Sequence, residues 1–329
     1  MSWVTKIPKI ELHVHLEGSI PLNALWTLME KYGGDSKVKT IEDLQAKFIY
    51  TDFPHFIETW VWKNQFLREY EDFTYIAEEV AKDFVDQNIV YAEMFHSPSD
   101  FFKLGLNAQQ LVEAIRNGFN KVPDIHINLV PDLIRDYGPK IGMKTLHKIH
   151  EVKEYGVVGI TIGGSEQSFP PEPYAEVYKK ARDFGFKTSA HAGEAAGPDS
   201  IWGAIKTLKV DRIGHGTSAI QDMELMDYLA KHQIPVEMCP ISNLKTGSVT
   251  SIEKHPIRQF FEKGIPISIN TDDPKMFGNS LAEEYELLIK KFGFTKNEII
   301  QIQQQSITSS WASDSLKNEL AEQISNFSL

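Results

Sequence analysis

The residues with the most evident chemistry are His13 and His15, two positions apart in KIELHVHLEGS (9–19). Side chains at i and i+2 of a strand share a face, so both imidazoles point the same way. Taken alone, a His-Val-His strand is more often structural than metal-binding. Three further strand-like segments end in residues that could join the pair. KTSAHAGE supplies His191 and Glu194, RIGHGTS supplies His215 between two glycines, and SINTDDP supplies Asp272 and Asp273. Neutral imidazoles and a carboxylate are the ligands of a Zn²⁺ ion that keeps one position open for water. Such an ion lowers the pKa of its water to about 7. Other polar groups nearby can then move protons and hold a substrate.

Strands must bring these residues together. Eight short apolar runs of strand type recur along the chain, at 9–17, 89–97, 126–134, 157–164, 187–194, 211–218, 234–242 and 266–274. Helical apolar spacing separates them, as at 173–184 and 223–232. Strands alternating with helices in this number predict an α/β fold, a closed (β/α)8 barrel of the TIM type. In such a barrel the strands' C-terminal ends form the catalytic face, and that is where the His, Asp and Glu residues fall. About seventy residues part the first two strands, far more than a crossover helix needs. They read as four helices at 22–32, 41–48, 54–70 and 72–87, an insertion over about 20–88 that lands on the catalytic face as a helical lid. Within FPHFIETWVW, Phe53, Phe56, Ile57 and Trp60 fall at i, i+3, i+4 and i+7, one apolar helix face. Extra helices follow the eighth strand. No repeat or linker divides the chain, so residues 1–329 read as a single domain.

Composition narrows the function further. The formal net charge is −11, and the lysines and arginines are scattered among acids. Without a basic stripe such a surface repels phosphate backbones, so no nucleic acid partner is expected. No run approaches the ~18 apolar residues of a membrane span, and the N-terminus lacks a signal-peptide core, so a cytoplasmic protein without membrane contact is expected. The single cysteine, Cys239, excludes an intramolecular disulfide and reads as a small buried hydrophobe at a strand end. Walker-type and Rossmann glycine spacings are absent, as is HExxH. His55, His126, His147, His150 and His232 lie in helical or linking stretches and read as packing or surface histidines. Nothing in the sequence specifies an oligomeric state.

Taken in order, KIELHVHLEGS, HAGE, RIGHG, CPISN and NTDDP resemble the adenosine deaminase family of metal-dependent hydrolases, over about residues 8–285. The resemblance implies one Zn²⁺ per chain held by His13, His15, His191 and Asp272. It implies that Glu194 donates a proton to purine N1, that His215 orients and deprotonates the attacking water, and that Asp273 hydrogen-bonds N7. Gly164 of TIGGSE matches the backbone position that contacts N3, where a glycine lets an N–H approach a flat ring. It also places a hydrophobic substrate gate at Phe53, Phe56, Ile57 and Trp60. The implied reaction is hydrolytic deamination of a small-molecule purine nucleoside, adenosine or 2′-deoxyadenosine, with release of ammonia.

Two positions depart from the family's adenosine-specific pattern. Where such members often read HLDG, with the aspartate on the ribose 5′ hydroxyl, this chain has HLEG, with Glu17. Strand alternation would put Glu17 on the face of the two histidines, further out towards the lid, where it would meet the sugar side of a substrate. Phe95 stands where such members often carry arginine. The alternative substrates are therefore adenine and aminodeoxyfutalosine. A non-catalytic purine-binding protein is the remaining reading, and it gives no reason for Glu194.

Overall fold

The structure is a computed structural model that describes residues 3–50 and 53–328, with side chains described for 3–50 and 55–327. Its eight strands are β1 (Lys9–His15), β2 (Ile89–His96), β3 (His126–Pro131), β4 (Gly159–Ile160), β5 (Lys187–Ala192), β6 (Arg212–His215), β7 (Val236–Met238) and β8 (Ile267–Ile269). Each lies inside one of the expected apolar runs. All are shorter than the run, because the chain leaves the ladder where it turns its polar residues onto the catalytic face.

The strands pair in parallel as β1-β2-β3 and as β4-β5-β6-β7-β8. Isolated parallel bridges span the two seams: Leu129↔Val157 and Asp132↔Thr161 between β3 and the β4 segment, and Val14↔Asp272 between β1 and the chain after β8. At the second seam, side chains take over from the ladder. Leu12 N donates to Asn270 Oδ1 at 2.8 Å, Ile10 N to Gln303 Oε1 at 3.0 Å, and Thr271 N to Glu11 Oε1 at 2.7 Å. These bonds satisfy backbone groups that a buried strand edge would otherwise leave unpaired. The result is the TIM-type barrel that the alternation predicts.

All seven residues of β1 are buried, as befits a barrel strand covered on both faces. Ile10 and Leu12 pack outwards against Ile300, Ile307, Leu320 and Ile324 of the C-terminal helices Lys296–Ser309 and Asp314–Ser328. The alternate residues His13 and His15 are thereby directed inwards. Between β1 and β2 lie the four expected helices, Leu22–Lys31, Ile41–Lys47, Phe53–Asn64 and Tyr70–Asp86. Buried Asp72 ties the first of them to the last: it accepts from Lys31 Nζ at 2.6 Å and from the backbone of Arg68 at 2.8 Å. No described helix is long and apolar enough to cross a membrane.

Candidate metal-binding active site

The four strand ends meet. One ligand atom each from His13, His191, His215 and Asp272 lie within 4.8 Å of one another, all buried. His15 joins them, its Nε2 lying 3.3 Å from His191 Nε2 and 3.4 Å from Asp272 Oδ1. Asp272 is stitched to the strand that carries the two histidines: its N–H donates to the His13 carbonyl at 3.2 Å, and its carbonyl accepts from His15 N at 2.9 Å. Ser242 Oγ donates to its Oδ2 at 2.6 Å. Asp272 and His215 both hold left-handed backbone, at φ 64 and φ 62. That conformation costs a non-glycine residue about 1–2 kcal/mol. Strain at two of the five convergent residues fits a site whose geometry serves chemistry.

The donor set suits a metal cation. His13 Nε2, His15 Nδ1 and His215 Nε2 are buried without a hydrogen-bond partner. Burial lowers His15 to about 4 and His215 to about 3, and takes His191 well below its ordinary value, so these rings stay neutral. Burial acts the same way on His13, but the Asp272 and Glu237 carboxylates outweigh it and raise that ring to about 10. Neutral imidazoles thus surround a point where the carboxylates favour positive charge, which is what Zn²⁺ asks of its ligands.

A second layer of residues orients the first. Glu237 Oε2 lies 2.8 Å from His13 Nδ1, which leaves Nε2 to face the cluster. Arg212 Nε donates to Glu237 Oε1 at 2.6 Å and its Nη2 to Glu93 Oε2 at 2.5 Å, while its guanidinium lies 3.7 Å over the Trp311 ring. Glu237→Gln should therefore weaken zinc binding by ~10–100-fold, the usual effect of losing such an outer carboxylate. Competition with a chelator measures this, and an unchanged affinity would remove Glu237 from the support of His13.

His215 is oriented from behind. Ile257 N donates to His255 Nδ1 at 3.2 Å, His255 Nε2 reaches Asn243 Oδ1 at 3.1 Å, and Asn243 Nδ2 reaches His215 Nδ1 at 2.9 Å. The backbone N–H at the start can only donate. Burial holds His255 near 3, hence neutral, so it must donate from Nε2 to the Asn243 oxygen. The Asn243 amide then donates to His215 Nδ1, which places the hydrogen of neutral His215 on Nε2. In that tautomer His215 Nε2, which faces Glu194, carries the hydrogen.

Glu194 Oε2 lies 3.5 Å from His215 Nε2. Burial, followed by repulsion from Asp272 and Glu166, raises Glu194 to about 8, so it is largely protonated near neutrality. Its loop is clamped by Glu166, whose carboxylate accepts from the backbone of Gly193, Glu194, Ala195 and Ala196 at 2.6, 3.0, 2.7 and 3.1 Å. Gly164, two residues before that clamp, sits at φ +96, and a Cβ there would lie 2.1 Å from Asp136 Oδ2. Asp273 is buried with Oδ1 unpartnered, and burial, then Asp272, push it well above the ordinary carboxylate range. It approaches the backbone of Gly18 so closely that a Cβ there would fall 1.8 Å from Asp273 Oδ1.

Glu17 lies in a one-turn helix, Glu17–Ser19, beyond the end of β1, so strand alternation does not place it. Its Oε1 accepts from Ser97 N at 3.0 Å while Oε2 is buried without a partner. Burial raises it to about 7. Phe95 packs edge-on against the His13 and His15 rings, 4.7 and 5.2 Å between centroids.

The lid helix covers this site. Phe56 stacks on Phe277 at 5.1 Å, and the Trp60 ring stands edge-on to His15 at 6.2 Å. Ile57, expected on the same face, is 42% exposed. At about 100° per residue it lies outside the inward stripe, which is made by Phe56, Thr59, Trp60 and Lys63. The Phe53 side chain lies outside the described residues. Beside the lid opens a cleft of 550 Å³, lined in part by Phe48, Tyr50, Lys275 and Phe277.

The residues that escape the sequence reading are Glu93, Glu166, Arg212, Glu237, Asn243, His255 and Lys63. For two of them a signal exists: Glu93 in VYAEMFH and Glu237 in PVEMCP are acids in the middle of apolar strands. A charge in that position needs a buried partner, and so points to a network.

Comparison with known proteins bears on the same residues. The adenosine deaminase family profile matches residues 8–327. The adenosine deaminase of Shewanella loihica is 34% identical over 328 residues, covering 96% of this chain and 98% of its own. The aminodeoxyfutalosine deaminase of Streptomyces avermitilis is 30% identical over 332 residues, covering 99% and 92%. Among solved structures, the adenine deaminase of Arthrobacter aurescens matches with a TM-score of 0.92 at 26% identity, covering 98% and 99%. An amidohydrolase of Burkholderia ambifaria, solved with bound Zn, matches at 0.89 with 25% identity, covering 99% and 93%.

Proposed function

Because the chain belongs to the adenosine deaminase family of C–N hydrolases, we propose that it deaminates adenosine and 2′-deoxyadenosine to inosine and 2′-deoxyinosine, releasing ammonia. The observation that carries this reading is the buried Glu194 carboxyl, 3.5 Å from His215 and beside a convergent set of histidines and an aspartate. A protein that only bound purines would have no use for a buried proton donor there.

His13, His15, His191 and Asp272 are the residues that would hold zinc. Bound there, the ion would supply a water with a pKa of about 7. His215 orients the attacking water through its Nε2. Glu194 gives its proton to N1, which draws electrons from C6 and makes it open to attack. Ring nitrogen N7 can only accept a hydrogen bond, so Asp273 must meet it protonated, and burial keeps it so. The Gly164 backbone, free of a Cβ, lies against N3. Addition of water at C6 and loss of the amino group as ammonia leave a 6-oxopurine.

The sugar side faces Glu17 and the lid. Support for a nucleoside comes from the unpartnered Glu17 Oε2, since a ribose hydroxyl would supply the donor that a buried carboxylate lacks. A panel following ammonia release tests this: adenosine, 2′-deoxyadenosine, adenine, aminodeoxyfutalosine and N6-methyl-AMP. The two adenosines should be the best substrates. Preference for adenine or aminodeoxyfutalosine would overturn the substrate and leave the deaminase chemistry standing.

The lid gives a separate prediction. Phe56→Ala and Trp60→Ala should raise KM for adenosine by about tenfold or more, since each removes an aromatic wall worth roughly 1–3 kcal/mol of burial. Melting temperatures should fall by only a few degrees, about 2–4 °C per kcal/mol in a chain of this size. Large losses of stability with unchanged KM would make this face mere packing.

A further inference from the structure

We propose that Lys63, on the lid helix, is a specificity-determining residue that selects an uncharged, hydroxyl-bearing substituent on the substrate's N9 side and disfavours a phosphate there. The inference rests on the nucleoside reading above and adds a residue to it.

Lys63 is only 1% exposed, on the inward stripe of the lid helix with Phe56 and Trp60. Its Nζ lies 4.0 Å from the centre of the Trp60 ring, whose edge in turn meets His15. It donates to Asn64 Oδ1 at 2.7 Å. An ammonium has three N–H bonds to place, and these two contacts leave room for a third.

The carboxyl groups that act on Lys63 are those of Glu17, Asp273 and Asp100. Asp100 accepts from Tyr137 Oη at 2.9 Å. Glu17 Oε2 and Asp273 Oδ1 are both buried and unpartnered. Among the described residues, no carboxylate forms an ion pair with Nζ within 4.0 Å. Lys63 Nζ and the free Glu17 oxygen are thus a buried donor and a buried acceptor that act on each other without an ion pair.

A hydroxyl would join them, because it accepts from the ammonium and donates to the Glu17 carboxylate. A phosphate would accept from Lys63 but has little to donate to the Glu17 carboxylate. Free adenine places nothing there. Lys63 and Glu17 together therefore read a sugar hydroxyl, one from the lid and one from the barrel.

The reaction products provide the test, used as competitive inhibitors of adenosine turnover by the zinc-loaded enzyme. Hypoxanthine carries no sugar, inosine carries the neutral sugar, and inosine 5′-phosphate adds the phosphate. Wild-type enzyme should bind inosine more tightly than either of the others. Lys63→Met should weaken inosine by roughly 10–100-fold, the size of one hydrogen bond to a charged group. Its affinity for hypoxanthine and its zinc content should stay as they were. Lys63→Arg, which keeps a charged donor, should recover part of the loss and covers the case in which the methionine variant does not fold. Equal weakening of inosine and hypoxanthine in either variant would make Lys63 a structural ion and overturn the proposal. Tighter wild-type binding of inosine 5′-phosphate than of inosine would overturn it too. Failure of the wild-type enzyme to deaminate adenosine at all would instead strike the nucleoside reading, before any variant is made.

Discussion

Glu194→Gln is expected to lower kcat on adenosine by at least ~10²–10⁴, the contribution of a well-placed general acid. Glutamine keeps the shape of the side chain and cannot give up a proton to N1. The loop would stay in place, because Glu166 holds it through four backbone N–H groups that the substitution does not touch. KM should change little, and zinc should remain bound, since Glu194 is not among the ligands. Steady-state kinetics with metal analysis on the same preparation check both halves. A rate near wild type would remove Glu194 from the mechanism.

Asp272→Ala and His191→Ala should each lose tightly bound zinc and at least ~10³-fold in activity. The ion's stabilisation of charge is worth several kcal/mol, and about 1.4 kcal/mol is a factor of ten in rate. The fold should survive the aspartate substitution. Asp272 joins β1 through its backbone N–H and carbonyl, and both bonds outlast the loss of the carboxylate. Retention of one zinc per chain by both variants would contradict the ligand set.

The strands were legible because a barrel strand buried on both faces is an apolar run, and the chemical residues mark where each run ends. That is why the sequence alone places His13, His15, His191, His215 and Asp272 at one rim. Strand lengths were less legible. Composition continues apolar past the point where the chain leaves the ladder, as at β4, where only Gly159–Ile160 pair. Glu17 shows the same limit: alternation was extended two residues too far, into a helical turn.

The support for the site was harder to see, because it joins residues far apart in sequence. The path from Ile257 through His255 and Asn243 to His215 depends on which nitrogen carries a hydrogen, and no spacing rule encodes that. CPISN marked Asn243 as part of a motif without revealing what the amide does. On the lid, the apolar spacing groups Ile57 with Phe56 and Trp60, yet the inward stripe is narrower and takes Lys63 in its stead. Buried Glu237 and Arg212 make sense only once both are seen beneath His13.

One experiment bears most directly on the claim that this chain is a water-using deaminase of adenosine. Zinc-loaded protein is incubated with adenosine in heavy-oxygen water, and the products are weighed by mass spectrometry while ammonia is counted. The account predicts inosine carrying one heavy oxygen on the purine, with one ammonia released for each inosine formed. Unchanged adenosine, or a product without heavy oxygen and without matching ammonia, would contradict it.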